Sequence, residues 1–158
     1  MEYNVDKGLF LFTIETKSRD FDSRLWLSLN LINEGYSIIL GSKGGVNKCL
    51  DLLKSDSSSF VYVSKATIDA YKHEKKIHGK NGIIYILDEE GGIYKRSWDS
   101  LYYRNPYDKL IKMDHLLLWG SKQKDLLDKK FKLGSQINIH VTGHPRFDLA
   151  KTFFDNYH

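Results

Sequence analysis

Gly8-Leu9-Phe10-Leu11-Phe12-Thr13-Ile14 is a nearly continuous apolar run, and Arg19 to Glu34 follows with Phe21, Leu25, Leu29 and Ile32 at helical spacing. An unbroken apolar strand suits a parallel sheet covered on both faces, because a half-exposed strand would alternate with polar residues. Gly35 stands where a helix stops, since glycine adopts the left-handed C-terminal conformation without a Cβ penalty. The same unit recurs outward from this point. Strand Tyr36–Leu40 leads through a loop, Gly41–Gly45, into a short helix, Val46–Lys54, with Cys49, Leu50 and Leu53 inward. A polar turn, Asp56–Ser59, precedes strand Phe60–Val63, and helix Ala66–His78 closes at Gly79. Strand Ile83–Leu87 empties into Asp88-Glu89-Glu90-Gly91-Gly92. Residues 93–113 are the least regular, with Pro106 as a breaker. Strand His115–Trp119, helix Ser121–Lys130, a Gly134 turn and a strand from Ile137 complete the chain's alternation. Repeated strand–helix units with short connections predict an α/β fold: a Rossmann-like, doubly wound parallel sheet of about six strands. Its crossovers are expected to be right-handed, with helices on both faces.

The bulk composition narrows the function classes. A chain of 158 residues makes one domain large enough to bury a core without disulfide or metal staples. Its net charge of +4 comes from 24 basic and 20 acidic side chains spread along the chain. Nucleic-acid binders concentrate their basic residues, so none is expected as a partner here. The densest cluster, Lys72-His73-Glu74-Lys75-Lys76, reads as the solvated face of a helix that leaves weak attraction to phosphates or an anionic membrane surface. Cys49 is alone and fits a reducing compartment as a small buried hydrophobe. The opening residues lack a signal peptide's pattern, and no apolar run nears the ~20 residues of a membrane span. A cytoplasmic, soluble protein is expected, and no cofactor.

Chemistry-bearing residues gather at the ends of the predicted strands, where open α/β sheets bind ligands. Glu15, Lys17 and Arg19 follow the first strand, and three charges in a row at a strand end point to substrate binding. Asp20 and Asp22 suit capping and the helix macrodipole instead. Residues two apart on a helix share no face, so Asp20-Phe21-Asp22 is not read as a metal site. Gly41 and Ser42 open a glycine-rich loop that matches no nucleotide fingerprint but allows a ligand close approach to backbone. Asp88, Glu89 and Glu90 crowd three carboxylates after a buried strand; crowding raises carboxyl pKa values and suits a general base. Glu89 and Glu90 are the catalytic candidates, because Gly91 and Gly92 let the loop bend around a ligand. The histidines form no zinc set and no Gly-x-Ser-x-Gly elbow is present.

The last strand ends in Thr142-Gly143-His144-Pro145-Arg146-Phe147-Asp148. Gly143 frees the backbone and Pro145 stiffens it, making an elbow that aims Thr142, His144 and Arg146 at the carboxyl edge. With Thr13–Asp22, Ile39–Ser42, Leu87–Gly91, Trp119-Gly120 and His140–Asp148 in this order, the chain resembles the amino-terminal half of the bacterial surface carbohydrate biosynthesis family, glycosyltransferases of GT-B-like build. The elbow also looks like the domain junction of teichoic acid glycerophosphotransferases and, more loosely, of sugar-nucleotide 2-epimerases. Where that family usually has Asn, this chain has His144. The resemblance implies an acceptor-side domain over residues 1–145, with 146–158 the stub of a crossover helix toward a donor-binding domain. It implies a sugar acceptor, a nucleotide-sugar donor and a separate donor-domain subunit as partners, in capsule or lipopolysaccharide synthesis at the inner face of the membrane. Glu15, Lys17 and Arg19 would hold an anionic part of the substrate, Glu89 or Glu90 an acceptor hydroxyl, and Thr142 and Arg146 the donor. A stand-alone sugar- or nucleotide-binding module is the alternative from another class, and a phosphate-handling enzyme using Gly41–Gly45 a third.

Overall fold

A computed structural model describes residues 7–54, 59–90 and 98–155, the last four of these as backbone alone. The turn expected at Asp56–Ser59, the glycines 91 and 92 and the start of the irregular stretch at 93 lie wholly or mostly outside the described residues. The elements run β1 (Leu9–Ile14), α1 (Lys17–Asn33), β2 (Ser37–Ser42), α2 (Lys43–Leu52), β3 (Phe60–Ser64), α3 (Thr67–Tyr71) and α4 (Glu74–His78). There follow β4 (Gly82–Leu87), α5 (Asp99–Arg104), α6 (Tyr107–Leu110), β5 (His115–Leu118), α7 (Ser121–Phe131), β6 (Asn138–Val141) and α8 (Pro145–Asp155). All six strands are parallel in the order β2-β1-β3-β4-β5-β6. The fold is the expected single α/β sheet of Rossmann-like build.

The apolar run of β1 is continuous because successive side chains feed two cores. Leu11 joins the larger core with Tyr62, Ile84, Ile86, Leu116 and Leu118, closed by Val46 and Leu50 of α2, Ala70, Ile77, Leu101, Leu110 and Leu127. Phe12 points the other way, with Val63 and Leu87, against Leu27 and Leu31 of α1. Helix α8 packs alongside α1. Among the described residues no helix is long and apolar enough to cross a membrane.

Five expectations change. The face of α1 turned to the protein is Asp20, Ser23, Arg24 and Ser28, flanked by Leu27 and Leu31, whereas Leu25, Leu29 and Ile32 are exposed. The apolar stripe of Phe21, Leu25, Leu29 and Ile32 lies about a third of a turn from the true inner face, because a buried arginine and two serines occupy that face. Gly41 and Ser42 belong to β2, and Lys43 to Gly45 are the first turn of α2, so no loop stands there. Ser42 caps that helix by accepting the Gly45 N–H at 3.2 Å. The helix expected over 66–78 is two short helices, broken at Lys72-His73. Part of the irregular stretch coils into α5 and α6 around Pro106, which starts α6 where a missing N–H costs nothing. Cys49 is half-buried on α2.

Two tight points make this packing testable. A Cβ added at Gly82, the first residue of β4, would lie 2.4 Å from Phe60 Cζ and 2.7 Å from Ile77 Cγ2. We expect Gly82→Ala to lose roughly 1–3 kcal/mol in urea unfolding; an unchanged midpoint would show that the Phe60 ring can yield. At the opposite edge from the candidate site, His78 bridges Asp114 (Nε2–Oδ2 2.9 Å) and Glu74 (Nδ1–Oε1 3.2 Å), while Asp114 also accepts the Ile84 N–H at 2.7 Å. Burial pushes the imidazole pKa down, but the hydrogen bonds and charges of Asp114 and Glu74 outweigh it and leave it above 6.5. A raised folded-state pKa stabilises fully below the unfolded value and fades as pH rises through the folded one. The stability gap between wild type and His78→Gln should therefore be wider at about pH 5.5 than at about pH 8, measured by denaturant midpoints.

Candidate functional site

At the end of β4, Glu89 is carried out of water by the fold and surrounded by cations. Its Oε1 lies 3.0 Å from Arg24 Nη2, and its Oε2 lies 3.0 Å from Arg146 Nη2 and 3.1 Å from His144 Nε2. His144 Nδ1 accepts the Arg146 backbone N–H at 3.2 Å, so the proton of a neutral imidazole belongs on Nε2, facing Glu89. Arg24 is fully buried, lies 5.8 Å from the Phe12 ring and donates to the Leu87 carbonyl at 3.4 Å. Burial lowers its guanidinium pKa, with Glu89 and Asp20 opposing that. An unpaired ionised carboxylate here would be far too costly, so these partners are a condition of burial.

The neighbouring carboxylates are held differently. Asp88 pairs with Arg104 at 3.0 Å, its other oxygen accepts the Glu90 N–H at 3.0 Å, and its carbonyl accepts the Trp119 indole N–H. Glu90 has a side chain 47 % exposed, within 3.7 Å of Arg19 and 3.9 Å of Arg104.

At the end of β1, Arg19 donates to Asp20 at 2.6 Å and to Glu15 at 3.1 Å. Burial alone would raise the Asp20 pKa, but the Arg19 hydrogen bond and the Thr16 N–H hold it below the usual carboxylate range. Asp20 therefore ties down the strand end, accepting the N–H groups of Glu15 (3.1 Å) and Thr16 (2.9 Å). The hydrogen bond to Asp20 raises the Arg19 pKa against its burial. Across the sheet, Lys65 at the end of β3 pairs with Glu15. β1 and β3 are the neighbours between which the chain order reverses, so this ion pair spans the topological switch point.

Two clefts flank that bridge. One, of about 280 Å³, is lined by Lys65, Ile68, Asp69 and Arg104 with Asp88, Glu89 and Glu90. The other, of about 320 Å³, is lined by Ile14, Glu15, Lys17, Phe21, Gly41 and Ser42, and its walls are mostly apolar. Of the sequence-read residues, Asp88, Glu89 and Glu90 line the first cleft and Glu15, Lys17, Gly41 and Ser42 the second, with Arg19 reaching Glu15 and Glu90 between them, while Thr142, Gly143, His144 and Arg146 line neither. Thr142 stands exposed with its hydroxyl on the Gly143 carbonyl at 3.1 Å. Gly143 has φ +78°, the left-handed turn that only glycine enters freely. Arg146 also donates to the Arg19 carbonyl at 2.8 Å, so the elbow is clamped onto α1 as well as β4.

Arg24, Lys65, Asp69 and Arg104 escaped the sequence reading. Lys65 was within reach, because it follows β3 as Glu15 follows β1. Arg24 stands one residue before Leu25 of the apolar stripe, and Arg104 lies in the irregular stretch 93–113, so neither carries a local signal. Compared with protein-family models, curated proteins and solved structures, the chain has no match.

If Glu89 depends on its cations, Arg24→Met should cost roughly 3–5 kcal/mol, read by urea unfolding. A loss below about 1 kcal/mol would mean that Arg146 and His144 alone hold the carboxylate.

Proposed function

We propose that this chain is the amino-terminal, acceptor-side half of a GT-B-like glycosyltransferase of capsule or lipopolysaccharide synthesis, working in the cytoplasm at the inner face of the membrane. Supporting this is the order of strand-end motifs along the chain. The geometric observation that carries it is the charged bridge Lys65–Glu15–Arg19–Glu90, set between two clefts at the switch point. A ligand rich in hydroxyls with one acidic group suits it: Glu15 and Glu90 accept hydroxyl protons, while Lys65 and Arg19 attract the anion.

The two catalytic candidates divide. Glu89 is enclosed by three cationic or donor groups and acts as a positioning residue for the elbow. Glu90 is the accessible carboxylate and the one able to take a proton from an acceptor hydroxyl. Lys17, Gly41 and Ser42 shape the apolar cleft, where a sugar ring's nonpolar face would rest. Thr142 and Arg146 would meet the donor, and transfer requires a donor-binding domain, encoded with this one or supplied as a separate subunit. A phosphate cradle at Gly41–Gly45 is disfavoured because those residues are strand end and helix, and Lys43 is paired with Asp69 at 2.6 Å. A binding module without catalysis is the second reading, favoured by both clefts lying within one sheet.

Calorimetry with acidic monosaccharides and nucleotide sugars tests this. Acidic sugar should bind and weaken at least about tenfold in Glu90→Gln and Arg19→Ala, which corresponds to losing one charged hydrogen bond. Purified chain should transfer no sugar from a nucleotide donor. Robust transfer by it, or nucleotide binding lost on Lys43→Ala with no binding of acidic sugars, would sink the reading.

A further inference from the structure

Tyr85, His115 and His140 alternate along β4, β5 and β6 with Ile84, Ile86, Leu116 and Ile139 of the larger core, so they stand on the opposite face of the sheet. Tyr85 is the register partner of His115, while His140 lies opposite Leu117, one diagonal step from His115. The rings form a row across three neighbouring strands. Tyr85 stacks on His115 with centroids 4.2 Å apart, and His115 stacks on His140 at 5.2 Å. His115 Nδ1 and His140 Nε2 face each other at 3.0 Å. Two imidazoles at this distance share one hydrogen: one ring donates it and the other accepts. His115 is half-buried, and His140 is exposed on the edge strand. Asp114, next to His115 in the chain, turns its carboxylate to His78 and to the Ile84 N–H instead. No role described above uses the pair.

We propose that His115 and His140 form a two-imidazole chelate for a square-planar or octahedral transition-metal ion of the copper(II) and nickel(II) class. Imidazole nitrogens bind such ions at about 2.0–2.1 Å, and two of them at right angles about the ion lie about 2.9 Å apart. A tetrahedral ion, with its wider angle, asks for about 3.3 Å. The 3.0 Å between His115 Nδ1 and His140 Nε2 matches the narrower bite. On binding, the ion takes the place of the shared hydrogen, and the ring that carried it bears its hydrogen on the other nitrogen. Tyr85 holds the His115 ring from behind, while the exposed His140 ring is free to turn its lone pair onto the ion. Among the described residues no group of three or more His, Cys, Asp or Glu side chains could hold a metal, so water fills the remaining positions. The chelate joins the edge strand β6 to β5 just ahead of Gly143, and so ties down the strand that delivers the elbow. This inference stands apart from the sugar-binding reading.

Titration calorimetry of the purified chain, free of any histidine tag, with nickel(II) chloride at about pH 7.5 provides the test, since imidazole ligands must be unprotonated. The chain should bind a single ion, and affinity should fall from copper(II) through nickel(II) to zinc(II). Paramagnetic resonance of the copper(II)-loaded chain should show two nitrogens bound to the metal. His115→Gln and His140→Gln should each weaken nickel binding at least about tenfold, because even the outer partners of a metal ligand are worth that much. His78→Gln, which removes the imidazole between Glu74 and Asp114, should change it by less than about twofold. Nickel should raise the melting midpoint of the wild type and of His78→Gln but not of His140→Gln, and the same melts check that each variant folds. His140 is exposed, so its variant keeps the test open should His115→Gln fail to fold. Absence of nickel binding, undiminished binding in His140→Gln, fewer than two nitrogens on copper, or zinc bound more tightly than nickel would each overturn the proposal.

Discussion

The carboxylate of Glu89 cannot be ionised in the interior without partners, and the arrangement at the sheet's carboxyl edge follows from that constraint. The residue sits just past the end of β4 and draws Arg24 from α1, His144 from the elbow and Arg146 from the first turn of α8. Three segments distant in sequence are thereby fastened at one point. Arg146 adds a bond to the Arg19 carbonyl, so the same clamp also fixes the start of α1. Removing a water-exposed pair would cost at most about 1 kcal/mol, whereas leaving one of these groups alone in the interior costs several times more.

Above it, the rim is built from groups that retain access to water. Glu15, Arg19, Lys65 and Glu90 are partly exposed ion partners whose rearrangement costs little, which suits groups that must exchange one another for a ligand. A buried anchor beneath an adaptable rim is a reasonable construction for recognising a polar ligand. It also separates two adjacent residues that look equivalent in the chain: Glu89 holds the elbow, and Glu90 faces the cleft.

Much of the fold was legible because strand burial leaves a local trace. The runs at Leu9–Ile14, Phe60–Val63 and Ile83–Leu87 are apolar at successive residues, and only a sheet covered on both faces asks for that. Strand ends then marked Glu15, Asp88 and Arg146 as neighbours of the ligand edge. Helix α1 was legible as a helix but not in its orientation. Its inner face holds Asp20, Ser23, Arg24 and Ser28, and local spacing carries no sign that Arg24 meets Glu89 and the Leu87 carbonyl there. The glycines after β2 read as a loop because glycine is a weak helix former, yet the Ser42 cap and the packing of Val46 and Leu50 carry α2 through them.

The sequence by itself determined the α/β class, the strands, and which edge of the sheet carries charged side chains, since these depend on periodicity and on residues adjacent in the chain. Tertiary structure alone decided which charges are buried, which pair with which, and which carboxylate remains open to a ligand. Those outcomes rest on desolvation and on distances between β1, β3, β4 and the elbow, and neither quantity exists until the strands are side by side.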